Sequence, residues 1–154
     1  MTEHVPPLDR LVARVLQTPW LTRLPIPLYR AGLGGIFGER LVMVEHLGRV
    51  SQEPRYVVVE VVERERNAVR VASGFGKRAQ WYRNLRANGV AYVSTGRARR
   101  VPASVRMLDP DESRHVLERY AQRHPQAWKH LSAAMEYAAG GEAHIPVVEF
   151  GPPH

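Results

Sequence analysis

The sequence predicts an α+β domain, mainly β, whose centre is a six-stranded antiparallel, barrel-like sheet with peripheral helices. Three observations carry this expectation. Six short segments rich in Val and Tyr are each bounded by turn residues. Few helical segments lie between them and most connections have hairpin length, which argues against a doubly wound parallel sheet. The chain has 154 residues, 44% hydrophobic and 24% charged, ordinary values for one soluble globular domain able to bury a real core.

The elements follow in order. Leu8, Leu11, Val12, Val15 and Leu16 recur at helical spacing with Asp9, Arg10 and Arg14 opposite, a short amphipathic helix. Prolines at 19, 25 and 27 and glycines at 32, 34, 35 and 38 then mark an irregular arm. Residues 1–39 thus form an N-terminal helix and arm, expected to pack on the domain, with cover for a partner subunit or a peripheral lipid contact as alternatives. Residues 40–154 form the barrel domain. Its strands are predicted at Leu41–His46, Tyr56–Val62, Ala68–Ser73, Val90–Thr95, Val101–Leu108 and Ile145–Phe150, with Glu63–Asn67 as an exposed hairpin loop. Tyr56–Val62 is apolar on both faces except at Glu60, so it should be covered on both sides. A helix over Ala79–Asn88 stops at Gly89, a natural left-handed terminator. A second opens Asp109-Pro110-Asp111-Glu112, with Asp as N-cap, Pro at N1 and Glu at N3. A third follows Pro125 and puts Trp128, Leu131, Met135 and Ala138 on one face.

Composition excludes several chemistries. The chain has no cysteine, which removes disulfides, thiolate metal sites and cysteine nucleophiles. No apolar run approaches the roughly 18 residues of a membrane span, and no signal peptide is visible, so a cytoplasmic location is expected. The seven histidines show no metal-ligand spacing, and no metal site is expected.

Charge is concentrated. Between Arg66 and Arg106 stand ten basic residues and no acid, leaving 12 basic and 15 acidic residues elsewhere. Such a segment would raise the local concentration of an anionic ligand; the alternative is a solvated face. Two loops are candidate anion sites. In His46-Leu47-Gly48-Arg49-Val50-Ser51-Gln52-Glu53-Pro54-Arg55, two guanidinium groups and a hydroxyl flank one turn, and Arg is suited to paired hydrogen bonds with phosphate or carboxylate. An ordinary polar hairpin would look the same. In Ala72-Ser73-Gly74-Phe75-Gly76-Lys77-Arg78, glycines lie between a strand and a helix start, with Lys77 and Arg78 adding charge. A nucleic-acid module using the basic segment, with Trp81, Tyr82 and Tyr92 stacking on bases, is a rival; their spacing reads more simply as core, and no nucleic-acid partner is expected.

The third constellation is Trp81-Tyr82-Arg83-Asn84-Leu85-Arg86-Ala87-Asn88. Together with the Ala72-Ser73-Gly74 loop and the Gly48-Arg49-x-Ser51-x-x-Pro54-Arg55 hairpin, it resembles the deazaflavin-dependent nitroreductase family over about Leu41 to Phe150. The resemblance implies a split β-barrel of the FMN-binding-like type and an oxidoreductase using the deazaflavin coenzyme F420. Hydride would pass from the reduced ring to a quinone, nitroaromatic or enone-like acceptor. It assigns Arg49, Ser51 and Arg55 to the coenzyme phosphate, Ala72, Ser73 and Gly74 to the ring, and Trp81, Tyr82 and Asn84 to the groove wall. Ser73, His130 and Tyr137 become candidate catalytic donors. A homodimer is also implied. The chain departs from the family at Val50, where Lys is usual, at Gln52, where Gly is common, and at Gly74, where a second basic residue is frequent. Val50 and Gly74 favour the alternative of a non-catalytic or differently loaded binding protein on the same scaffold, holding FMN, haem or another anionic molecule.

Overall fold

The computed structural model describes residues 40–73, 77, 79–129, 132 and 145–153. The expected helix Leu8–Leu16, the arm after it and the third helix beyond residue 129 lie outside the described residues. Among the described residues stand six strands and two complete helices, β1 (Leu41–Leu47), β2 (Pro54–Glu65), β3 (Ala68–Ala72), α1 (Gln80–Asn88), β4 (Val90–Thr95), β5 (Ala98–Met107), α2 (Pro110–Arg123) and β6 (Val147–Gly151), and residues 125–129 are also helical. The strands close into an antiparallel barrel in the order β1-β2-β3-β6-β5-β4, the six-stranded architecture expected from the sequence.

Alternation decides which residues fill it. In a strand, successive side chains point to opposite faces. Val42 and Val44 on β1, Val59 and Val61 on β2, Val71 on β3, Ala91 and Val93 on β4, Ala103 on β5, and Val148 and Phe150 on β6 form one buried cluster. Trp81, Tyr82 and Leu85 of α1 join it, so the helix plugs the barrel with its apolar side. Gly89 ends α1 at φ 71° and its amide bonds the Leu85 carbonyl, a left-handed conformation that glycine enters without steric cost.

A second cluster lies where α2 packs on the barrel: Val62, Ala72, Leu108, Val116, Leu117, Tyr120 and Val147. The start of α2 is as predicted. The Asp109 carboxylate accepts from the Glu112 amide at 2.8 Å, and the Glu112 side chain accepts from the Asp109 amide. This reciprocal cap satisfies two helix-end donors. The second cluster explains why β2 is apolar on both faces: Val59 and Val61 enter the barrel core while Val62 meets α2.

Several boundaries differ from expectation, β2 already beginning at Pro54, two residues early. The segment Glu63–Asn67 is not an exposed loop. β2 runs to Glu65, a two-residue turn occupies 66–67, and Glu63 is buried. Its carboxylate is held by Arg70 at 2.6 Å and by Arg119 of α2 at 2.9 Å. β5 begins at Ala98, three residues early, because Ala98 pairs with Thr95, while Arg99 and Arg100 fall in an irregularity of the ladder, Arg100 at φ 49°. β6 begins at Val147 rather than Ile145, after Pro146, which supplies no amide to a ladder.

Glu63 belongs to a row of charges crossing four strands. Glu63 pairs with Arg70, Arg70 with Glu149, and Glu149 with Arg106 in successive ladders. Arg70 reaches Glu149 at 2.8 Å, Arg106 reaches Glu149 at 3.1 Å, and Glu112 of α2 closes the far end on Arg106. Burial alone would raise the Glu149 carboxyl, but hydrogen bonds from Arg106 and Arg70 outweigh it and hold the group below its ordinary value. On the same side of β2, Glu60 is also buried and takes Arg40 at 3.2 Å and the Tyr120 hydroxyl. Burial, then the Glu60 charge, pushes the Tyr120 hydroxyl well above the ordinary phenol range.

Candidate anion-binding site

The hairpin between β1 and β2 closes on the register pairs His46 with Arg55 and Leu47 with Pro54. Inside them, the Gly48 amide donates to the Glu53 carbonyl at 2.9 Å and the Gln52 amide to the Gly48 carbonyl at 2.9 Å. Gln52 sits at φ 58°, a region where any residue but glycine carries strain. The absence of a side chain at Gly48 shapes the site. A Cβ there would stand 2.5 Å from Ser51 Oγ and 3.7 Å from Arg55 Nε. Both groups therefore fold over the same glycine, and any larger residue would displace the hydroxyl.

Helix α1 locks this hairpin from below. Asn84 Oδ1 accepts from the Arg49 amide at 3.1 Å and from Arg49 Nη1 at 2.8 Å. Its Nδ2 lies 3.2 Å from His46 Nδ1. Asn88, one turn on, donates from Nδ2 to the Leu47 carbonyl at 3.0 Å. Asn84 and His46 are each only 5% exposed. Burial, followed by the nearby Arg55 charge, lowers the His46 pKa to about 4, so the ring is neutral at physiological pH.

The basic segment divides in two. Arg70, Arg100 and Arg106 are engaged by Glu63, Glu65, Glu149, Glu45 and Glu112, all supplied from outside the acid-free stretch. This corrects the expectation that the whole segment presents free charge. Around the hairpin and α1 the situation is different. Among the described residues, Arg49, Arg55, Lys77, Arg83 and Arg86 make no ion pair with a carboxylate. Arg55, Lys77, Arg83 and Arg86 are exposed.

Arg49, Ser51, Arg55 and Asn84 come together at the hairpin. Trp81 and Tyr82 are core residues that cap the barrel, with their rings edge to face at 6.2 Å, so their contribution is a wall rather than an open stacking surface. That placement also removes two of the three rings a nucleic-acid reading required. The third, Tyr92, carries the Arg100 guanidinium on one face, 4.0 Å from its centroid. Ser73 is 1% exposed and its amide donates to the Pro146 carbonyl at 2.9 Å; its hydroxyl is enclosed rather than open. Ala72 is packed in the cluster beneath α2. Lys77 is exposed. Gly74, Arg78, His130 and Tyr137 lie outside the described residues.

Sequence reasoning did not single out His46. Its signal was present: it ends an apolar strand on the inward-facing register of Val42 and Val44, where a polar side chain needs a partner. That partner lies 38 positions away on α1. Among the described residues no helix is long and apolar enough to cross a membrane.

Comparison with known proteins adds the following. The sequence model of the F420H(2)-dependent quinone reductase family matches residues 26–150. No curated protein matches the chain. Among solved structures, the chain is similar to a protein described as a domain-swapped dimer, at 20% identity and TM-score 0.57, covering 86% of this chain and 97% of that one. It is similar to the F420-H2 dependent reductase FDR-A, at 22% identity and TM-score 0.55, covering 73% and 95%. The haem storage protein HutZ from Vibrio cholerae has 11% identity and TM-score 0.54, over 86% and 91%. At these identities the shared property is the fold.

Proposed function

The chain belongs to the F420H(2)-dependent quinone reductase family and is an oxidoreductase, and from that premise we propose that the hairpin and α1 hold the acidic end of a deazaflavin coenzyme. The observation that carries this reading is the convergence of Ser51 Oγ and Arg55 Nε over Gly48, beside Arg49, without any carboxylate partner among the described residues. The donor set fits an anion: two guanidinium groups and a hydroxyl around a glycine whose missing side chain leaves room.

When bound, the reduced deazaflavin supplies hydride to a quinone, nitroaromatic or enone-like acceptor. The protein's own work is to bind and orient. Arg49, Ser51 and Arg55 grip the phosphate, while Lys77 and Arg78 add attraction. On resemblance alone, the Ala72-Ser73-Gly74 segment is assigned beside the ring, the Ala72 and Ser73 side chains being buried, and Trp81, Tyr82 and Asn84 form the wall behind it. His130 and Tyr137 are assigned as proton donors to the acceptor on resemblance alone. The reading further makes the protein a cytoplasmic homodimer.

One observation favours a second occupant. Val50, at the hairpin tip, is 92% exposed, so the position where relatives carry Lys offers no charge. FMN, or another anion needing fewer cationic contacts, is the alternative ligand.

Replacing Arg55 by Ala tests the site. The side chain is exposed, so the fold should persist, while loss of one charge-assisted hydrogen bond, about 1.5–3 kcal/mol, weakens F420 binding by about ten- to a hundredfold. Fluorescence titration with F420, and in parallel with FMN, reads the outcome. Unchanged F420 affinity in Arg55→Ala removes the phosphate assignment, and tighter saturable binding of FMN selects the second reading.

A further inference from the structure

We infer that Asn84, fixed in a single amide orientation by the buried His46 ring, is a positioning residue that holds the Arg49 guanidinium ready for an anion. The inference rests on the anion-site reading above and extends it to two residues that act behind the binding surface.

The argument is one of donors and acceptors. Arg49 presents two N–H groups to Asn84, one from its backbone and one from Nη1, at 3.1 and 2.8 Å. Both are donors under all conditions, so the atom facing them must be the amide oxygen. The amide nitrogen then faces His46 Nδ1 at 3.2 Å, and that ring atom must be an acceptor. This requires a neutral ring carrying its proton on Nε2. Burial and the neighbouring Arg55 keep it neutral. Turning the amide over would set NH2 against two donors and oxygen against a lone pair, losing every one of these contacts in a site shielded from water.

The consequence reaches the surface. Nη1 is tethered, so the guanidinium plane cannot sweep freely, and its remaining N–H groups face a fixed direction. Pre-ordering of this kind lowers the entropy lost when a ligand binds. Asn88 strengthens the effect by holding the Leu47 carbonyl, so that the hairpin is anchored to α1 on both sides of Gly48.

The test separates the positioning from the ligand. In the folded full chain, nitrogen-15 NMR should show the His46 ring as the Nε2–H tautomer and Arg49 with hindered rotation about its Nε–Cζ bond. Asn84→Ala should free that rotation. His46→Phe should free it partly, and His46→Gln, whose side-chain oxygen can accept from Asn84, should restore it. Titration with inorganic phosphate and with F420 should show about tenfold weaker binding in Asn84→Ala. Rotation at Arg49 that stays hindered in Asn84→Ala overturns the inference, as does the Nδ1–H tautomer at His46. Rotation freed in Asn84→Ala while neither phosphate nor F420 binds the unmodified protein upholds the positioning and overturns the anion site instead. Circular dichroism establishes that each variant is folded, and if Asn84→Ala is not, His46→Phe provides the reading: rotation at Arg49 as hindered there as in the unmodified protein overturns the inference.

Discussion

Replacing Arg70 by Met should destabilise the protein by about 3 kcal/mol. Arg70 is 12% exposed and is the hub of the charged row, contacting Glu63 at 2.6 Å, Glu65 at 2.9 Å and Glu149 at 2.8 Å. The Glu65 contact contributes little because that carboxylate is largely in solvent. The loss comes from Glu63, whose side chain is 4% exposed, and from Glu149. Removing one partner of a buried pair costs about 3–5 kcal/mol. Arg119 still holds Glu63, and Arg106 still holds Glu149, which puts this case at the low end. With a urea slope of about 1–3 kcal/mol per molar, the unfolding midpoint should fall by about 1–3 M at pH 7 with the slope unchanged. Adding Glu63→Gln to Arg70→Met should recover part of the loss, because the uncompensated carboxylate is then gone. A loss below about 1 kcal/mol, the scale of an exposed pair, would mean that the row is solvated, and the reasoning from burial would be wrong.

Acid should weaken the fold in two stages. His46 is protonated near 6.5 when unfolded and near 4 when folded, so its contribution is complete above the upper value and is lost as pH falls between the two. The span corresponds to about 2–3 kcal/mol after allowance for partial solvation, and His46→Gln should flatten urea midpoints over that window. Glu149 is held below its ordinary value, so its contribution is lost at lower pH still, as the folded carboxylate takes up its proton. Val50→Lys should tighten phosphate and F420 binding about tenfold, with a steeper dependence on ionic strength seen in titrations at two salt concentrations. Asp109→Ala should remove the cap of α2, about 1 kcal/mol, and lower the melting temperature by about 2–4 °C; an unchanged melting curve would show that α2 is held by packing alone.

Much of the scaffold was legible because its signals are local. Val-rich alternation placed β1 and β4 to within a residue, and Asp109, Pro110 and Glu112 declared the start of α2 by their order alone. What failed was information held in distant parts of the chain. Glu63 and Glu65 read as solvent-seeking charges of a loop because Arg70 and Arg119, which make Glu63 a buried residue, reach it only through a hairpin and a helix. The acid-free segment misled in the same way, since Glu149 returns from β6 to claim Arg70 and Arg106. At the candidate site, Arg49, Ser51 and Arg55 stand close in sequence and could be named as a group. His46 became meaningful only once strand register set it beside Arg55 and the fold brought Asn84 to its ring.

The barrel is completed by β6, which slots between β3 and β5, pairing Val147–Phe150 with the former and Val148–Gly151 with the latter. During synthesis those two strands therefore wait with open edges until some forty residues beyond β5 have left the ribosome. Such edges invite pairing with other chains, and charged side chains along them discourage it. Arg70 and Arg106 stand on the waiting edges, so the same guanidinium groups that finally receive Glu149 can guard the nascent chain against aggregation until the barrel closes.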